Sequence, residues 1–181
     1  RDYLLKYDID ETVIDRVVTN LKKDKWLDDA KYANTFIEQS LATSDKGAYV
    51  ILQKLKQKGI SQNIIEEALK NQDFSAVLEK TTAKLVKKYQ DKLPLNALKT
   101  KVKQSLTTKG FSYQEANLAV DSLELERDCE QEESLIERDL EKLQRKYSRR
   151  YEGYELKQRL TQALMRKGYD YNDIKSHLRE Y

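Results

Sequence analysis

The stretch KQKGISQNIIEEAL, Lys56 to Leu69, returns as TTKGFSYQEANLAV, Thr107 to Val120, and again as MRKGYDYNDIKSHL, Met165 to Leu178. Aligned on Gly59, Gly110 and Gly168, the three copies share a lysine before the glycine, an apolar residue after it and a capping residue next. Each shared position has a physical reason. Lys58, Lys109 and Lys167 stand where a cation complements the negative end of a helix dipole. The glycine suits the left-handed residue just past a helix end. Ile60, Phe111 and Tyr169 then fall where a side chain folds back onto the residue five earlier, which is leucine each time: Leu55, Leu106 and Leu164. Ser61, Ser112 and Asp170 are good N-caps, and Ser112 with Glu115 makes a capping box. The phrase is a helix stop, a corner and a helix start, and its return predicts a repeated structural unit.

Upstream of each corner, Ile51, Val102 and Leu160 share one apolar offset and Gln53, Gln104 and Gln162 share another. A further helix precedes each of these. In the first unit Asp28 caps it, Leu27 is placed to staple onto Tyr32, and Ala33, Phe36, Ile37 and Ser40 continue the inward stripe. Leu78, Leu85, Tyr89 and Leu93 serve the second unit; Ile136, Leu140, Leu143 and Tyr147 serve the third. Gly47, Pro94 and Gly153 mark the turns between first and second helices. The corners are 51 and 58 residues apart, room for three short helices each. The expected fold is all-α, tandem repeats of a three-helix unit forming an elongated, curved array.

The expected organisation is the end of a truncated repeat over 1–25, then repeats over 26–72, 73–123 and 124–181. KYDIDETVIDRVV at the start aligns Ile9 with Ile60 and Asp10 with Ser61, with Asp8 in the glycine position. The chain therefore begins within a repeat, which predicts a preceding segment. Ser122 to Leu135 has neither glycine nor proline, which predicts a continuous helix joining the last two repeats.

Composition agrees with helices: 36% of residues are charged, with five glycines and one proline. The net charge is only +3, but residues 76–123 carry nine lysines against four carboxylates. A single cysteine, Cys129, excludes an internal disulfide, and no apolar run approaches the roughly 20 residues of a membrane span. A soluble cytoplasmic monomer is expected. Catalytic chemistry finds no support. His177, the one histidine, occupies an offset held by Ala68 and Ala119 in the other copies; Cys129 lies in an acidic stretch; Asp28-Asp29 reads as helix capping. No enzyme activity, metal or cofactor is expected.

Cationic residues are more informative. Lys142, Arg145, Lys146, Arg149 and Arg150 recur at helical spacing opposite Ile136, Leu140, Leu143 and Tyr147. Lys80, Lys84, Lys87 and Lys88 crowd one helix of the middle repeat, and Lys99, Lys101, Lys103 and Lys109 the next. One reading is solvated surface, with Glu137, Asp139 and Glu141 neutralising part of the last stripe; the other is contact with phosphates or an acidic protein surface. Tyr147, Tyr151 and Tyr154 are open to the same choice between core packing and stacking on bases.

Trp26 to Leu69 carries Leu27, Asp28 and Asp29 followed by Tyr32 and Ala33, then Lys46, Gly47, Ile51, Leu55, Lys58, Gly59 and Ile60. This pattern resembles the RecX family of regulatory proteins, with the corner motif extending the resemblance through the later units. It departs at Ile51-Leu52, where many relatives carry an arginine. The resemblance implies a three-helix-repeat protein that binds the RecA recombinase filament on single-stranded DNA, lodges in its groove and restrains strand exchange, DNA repair and the SOS response. On that reading Lys84, Lys87, Lys88, Lys99, Lys101, Lys103, Lys109, Lys142, Arg145, Lys146, Arg149 and Arg150 are the candidate contacts to filament or DNA, and Gly59, Gly110, Gly168 and Asp28 are structural corners. The rivals are a direct DNA binder with helix-turn-helix geometry, a generic interaction scaffold and, remotely, a hydrolase.

Overall fold

The computed structural model describes residues 2–7 and 9–179; the Asp8 position of the first, partial corner lies outside them. All regular structure among the described residues is helical: α1 Asp2–Leu5, α2 Glu11–Lys23, α3 Asp29–Thr43, α4 Ala48–Gln57, α5 Gln62–Lys70, α6 Ser75–Tyr89, α7 Leu95–Thr108, α8 Tyr113–Asp121, α9 Cys129–Tyr147, α10 Gly153–Arg166 and α11 Tyr171–His177. The chain divides into two compact units, one of residues 1–44 with 50–73 and one of residues 45–49 with 74–181.

The three corners adopt one geometry. Gly59, Gly110 and Gly168 have φ of +85°, +95° and +94°. The amides of Ile60, Phe111 and Tyr169 donate to the carbonyls of Leu55, Leu106 and Leu164 at 3.2, 3.2 and 3.4 Å, and each glycine amide donates to the carbonyl three residues back. These are paired bonds of a Schellman ending, and the hydrophobic contact that accompanies it is in place. Leu55, Leu106 and Leu164 are wholly buried, and their partners Ile60, Phe111 and Tyr169 are at most 9% exposed. Burial of each such leucine stabilises the fold by about 2 kcal/mol.

Helix starts follow the expected chemistry with one exception. Asp28 accepts from the Lys31 amide at 2.9 Å, Asp170 from the Asn172 amide at 2.8 Å, and Ser112 with Glu115 forms the full capping box. Ser61 makes no side-chain cap bond. Residues 122–128 are not helical, contrary to the continuous helix expected there: Glu124 has φ +39° and Asp128 caps a fresh start by accepting from Gln131.

In the larger unit α6, α7 and α8 pack around Leu85, Leu98, Val102, Leu106, Phe111 and Val120. The helices α9, α10 and α11 enclose Leu135, Ile136, Leu140, Leu160, Leu164, Tyr169, Ile174 and Leu178. Two joints recur in this unit, each seating a corner against the start of a middle helix. At the first, the Gly47 amide donates to the Lys109 carbonyl at 2.9 Å and the Tyr49 amide to the Gly110 carbonyl at 3.1 Å. At the second, Gly168 lies so close to Ala97 that a Cβ would stand 2.8 Å from the alanine methyl. Glycine at 168 is thus required by both its φ and its neighbour.

An ion pair between Lys109 and Asp45 closes the first joint. The Lys109 ammonium, mainly through its hydrogen bond, holds the Asp45 carboxyl below its ordinary value of 3.8. A carboxyl depressed by folding stabilises the native state above its unfolded pKa, and that contribution disappears as pH falls through the folded value. Asp45→Asn should therefore lower the melting temperature at pH 7, with the gap from the parent closing in acid below 3.8. Thermal melts of both proteins from pH 7 down to pH ~2 test this, and a gap that persists in acid would contradict it.

Candidate partner-binding surfaces

The structure divides the twelve candidate contact residues by their partners. Lys103 is half-buried and donates to Asp121 at 2.9 Å, and Lys109 is committed to Asp45. Both are spent within the fold. Lys84, Lys87 and Lys88 stand exposed on α6, with the Lys88 ammonium 5.0 Å from the Tyr89 ring centroid. On α7, Lys101 is exposed and Lys99 is half-buried. None of these five has an ion-pair partner among the described residues. They share a middle repeat that has few carboxylates to neutralise them.

The cations at the end of α9 do not form one helical face, contrary to what their spacing predicts. The helix stops at Tyr147, so Arg149 and Arg150 lie in the turn before α10. The turn nevertheless brings all five together: Lys142, Arg145, Lys146, Arg149 and Arg150 line one open cleft of about 530 Å³ with Tyr147 and Tyr151. Every one of the five is exposed.

Asp139 also departs from expectation. It does not neutralise this stripe but is buried, accepting from the Tyr169 hydroxyl at 2.9 Å and pairing with Lys167 at 3.1 Å. Burial, followed by the Asp139 hydrogen bond, pushes the Tyr169 phenol well above its ordinary pKa, so it remains a donor throughout the physiological range. Of the other two carboxylates, Glu137 is exposed and Glu141 lies 3.4 Å from Arg145, both partners more than two-thirds exposed. Such a pair contributes little and opens readily to a competing anion.

The tyrosines also separate. Tyr147 packs against the α9–α11 core and meets Tyr151 edge-on at 6.3 Å between centroids. The Arg159 guanidinium sits 4.7 Å over the Tyr151 ring. Tyr154, in the first turn of α10, is 83% exposed. The lone cysteine and histidine line one cavity of about 240 Å³ with Arg127, Glu132, Tyr169 and Asp173, but the His177 ring nitrogen Nδ1 is engaged with the Asp173 carbonyl at 2.8 Å. Asp28 and Asp29 are likewise accounted for, one as the α3 cap and the other 3.7 Å from Lys22.

The profile of the RecX second three-helix domain matches residues 28–69, and that of the RecX third three-helix domain matches residues 130–178. The helices α6 to α8, of which α6 and α7 are lysine-rich, lie between the two matched spans. Regulatory protein RecX of Streptococcus mutans is 56% identical over all 181 residues, which correspond to 70% of its length. The protein of the same name from Streptococcus sanguinis is 55% identical over the same span and share of its length. Among solved structures, RecX from Lactobacillus salivarius superposes with a TM-score of 0.64 at 33% identity, over 69% of this chain and 82% of that one. A second crystal structure, of a regulatory protein RecX, gives a TM-score of 0.58 at 30% identity, over 66% of this chain and 61% of that one. No helix among the described residues is long and apolar enough to cross a membrane.

Proposed function

The chain belongs to the RecX family of regulatory proteins, and from that premise we propose that it binds the RecA recombinase filament on single-stranded DNA and inhibits or modulates its work in recombination, repair and the SOS response. It acts as a cytoplasmic monomer, by occupying surface on a polymer, and transforms no substrate. The observation that carries this reading is 56% identity to a regulatory protein RecX across all 181 residues. Physical support comes from the exposed lysines of α6 and α7, which suit an acidic or phosphate-bearing partner.

RecA ATP hydrolysis on single-stranded DNA, titrated with the purified protein, tests the proposal. Inhibition that deepens as the protein is added is expected, and an unchanged hydrolysis rate at stoichiometric protein would overturn it. Charge reversal should start from lysines with no ion-pair partner in the fold. Lys84→Glu, Lys87→Glu and Lys101→Glu together are expected to raise the half-inhibiting concentration about tenfold at physiological salt. Lys103 is left out because its removal would also release Asp121.

A further inference from the structure

We propose that α9–α11 swing as one body against α6–α8 about residues 122–128, and that the Glu132 carboxylate is the latch that holds this hinge closed. The two triplets of helices have separate cores. The apolar cluster of α9–α11, with Leu143, Tyr147 and Leu156 at its margin, takes no residue from α6–α8. No backbone hydrogen bond crosses between the triplets among the described residues, whereas the joint at Gly47 is tied by two. The bonds that do cross are made by polar side-chain ends: Glu132 accepts from the Leu95 amide at 2.6 Å, and Gln131 Nε2 donates to the Gln90 carbonyl at 2.7 Å. Beside them lies a cleft of about 330 Å³, lined by Val86, Leu93 and Leu98 before the linker and by Leu125, Gln131 and Glu132 in it and after it. A joint that is polar and incompletely filled makes rigid-body rotation the softest deformation of this unit.

The connection supplies the freedom and Glu132 restrains it. Residues 122–128 are not helical, and Glu124 sits at φ +39°, so α8 and α9 are not locked into one rod. The Leu95 amide is a first-turn donor with no partner inside α7, and the Glu132 carboxylate reaches it from the other triplet. The second carboxylate oxygen accepts from Arg127, whose guanidinium also pairs with Asp173 on α11. Linker, α9 and α11 are thereby joined to one another, and through Glu132 to the start of α7. Gly168 against Ala97, two residues without bulk, is the stop on which the closed state rests. A swing would carry the five cations at the end of α9 relative to the exposed lysines of α6 and α7, so the latch sets the span between two candidate partner surfaces. That consequence, unlike the hinge itself, rests on the RecA reading proposed above.

The test is pulsed double electron resonance on the full chain carrying Cys129→Ser, with nitroxide labels on pairs of introduced cysteines at exposed positions. Lys80→Cys with Glu137→Cys spans the joint. Lys80→Cys with Gln114→Cys stays within α6–α8, and Glu137→Cys with Lys175→Cys within α9–α11. The parent should give one narrow distance across the joint. Glu132→Ala should broaden that distribution about twofold or more and leave both internal distances unchanged. Glu132→Gln, which can still accept from Leu95, should restore most of the narrow distribution. Ala97→Leu keeps the latch residues and both cores, should wedge the joint and shift its mean distance, and tests the hinge even where Glu132→Ala fails to fold. A cross-joint distribution unmoved by Glu132→Ala and by Ala97→Leu overturns the proposal, as does a parent distribution already as broad as that of Glu132→Ala. Broadening of an internal pair overturns it in favour of local unfolding. The RecA reading stands or falls separately: fixed distances with inhibited ATP hydrolysis remove only the hinge, and a mobile joint in a protein that leaves hydrolysis unchanged removes only the RecA reading.

Discussion

Replacing Gly47 with alanine lowers folding stability by about 3 kcal/mol, although this glycine is not one of those with positive φ. A Cβ at this position would stand 2.5 Å from the carbonyl carbon and oxygen of Gly110 and 2.6 Å from the Phe111 amide nitrogen. All three are backbone atoms of a corner fixed by its own hydrogen bonds, so no side chain can turn aside. The segment 45–49 must move away, which weakens the bonds from the Gly47 and Tyr49 amides at about 1 kcal/mol each. Overpacking strain adds about 1–3 kcal/mol. Gly59→Ala is the informative control: its φ is +85° but nothing lies within 4 Å of the added methyl, so only the left-handed strain of about 1 kcal/mol remains. Urea unfolding of the two variants should rank Gly47→Ala as the more damaging, with faster amide exchange at Tyr49. If conformational freedom alone explained the glycines, the order would reverse.

The contrast between these two glycines shows what a sequence discloses. A Schellman corner is written within six consecutive residues, from Leu55 to Ile60, so leucine, glycine and the apolar residue after it are legible together. Repetition then makes the three-helix unit readable without any contact being known. Gly47 can be recognised as a turn, but its need to lack a side chain comes from Gly110, 63 residues away, and no local pattern records that distance. Asp139 is hidden for the same reason. Between Glu137 and Glu141 it looks like one more surface acid, while Tyr169, 30 residues on, makes it a buried acceptor.

Local signals can also point two ways. Residues 122–128 lack glycine and proline, which favours a continuous helix, yet Asp128 followed by Gln131 is a capping pair, and it starts α9 as such pairs do. The end of α9 is harder to read. Cations continue at helical spacing from Lys142 through Arg150, and no breaker appears until Gly153. Ser148 nonetheless ends the helix, so the candidate cleft is formed by a turn that the spacing of charges conceals. Which lysines are exposed is equally hidden, because Asp45 and Asp121 reach Lys109 and Lys103 only through the fold.

Glu132→Ala should cost about 2–3 kcal/mol, nearly as much as the Gly47 change, because one carboxylate serves two elements. The helix α7 follows Pro94, which has no side-chain oxygen to cap it, and the Leu95 amide instead donates to Glu132 at 2.6 Å from 37 residues away. The other carboxylate oxygen accepts from Arg127 Nε at 2.7 Å, and that guanidinium also pairs with Asp173 on α11. Glu132 is 12% exposed and Arg127 40%, so the ion pair is only partly screened. Glu132→Gln separates the contributions: it can still accept from Leu95 but loses the charge, and should retain roughly half of the stabilisation. In a double-mutant cycle with Arg127→Gln, the coupling should be about 1 kcal/mol at low salt and shrink in 1 M salt, while the Leu95 contribution persists. Equal destabilisation by Glu132→Ala and Glu132→Gln would assign the effect wholly to charge, and strict additivity with Arg127→Gln would assign it wholly to the α7 cap. The intermediate result is the one this geometry requires, since the carboxylate joins the start of α7 to Arg127 in the linker, and Arg127 carries the connection on to Asp173 of α11.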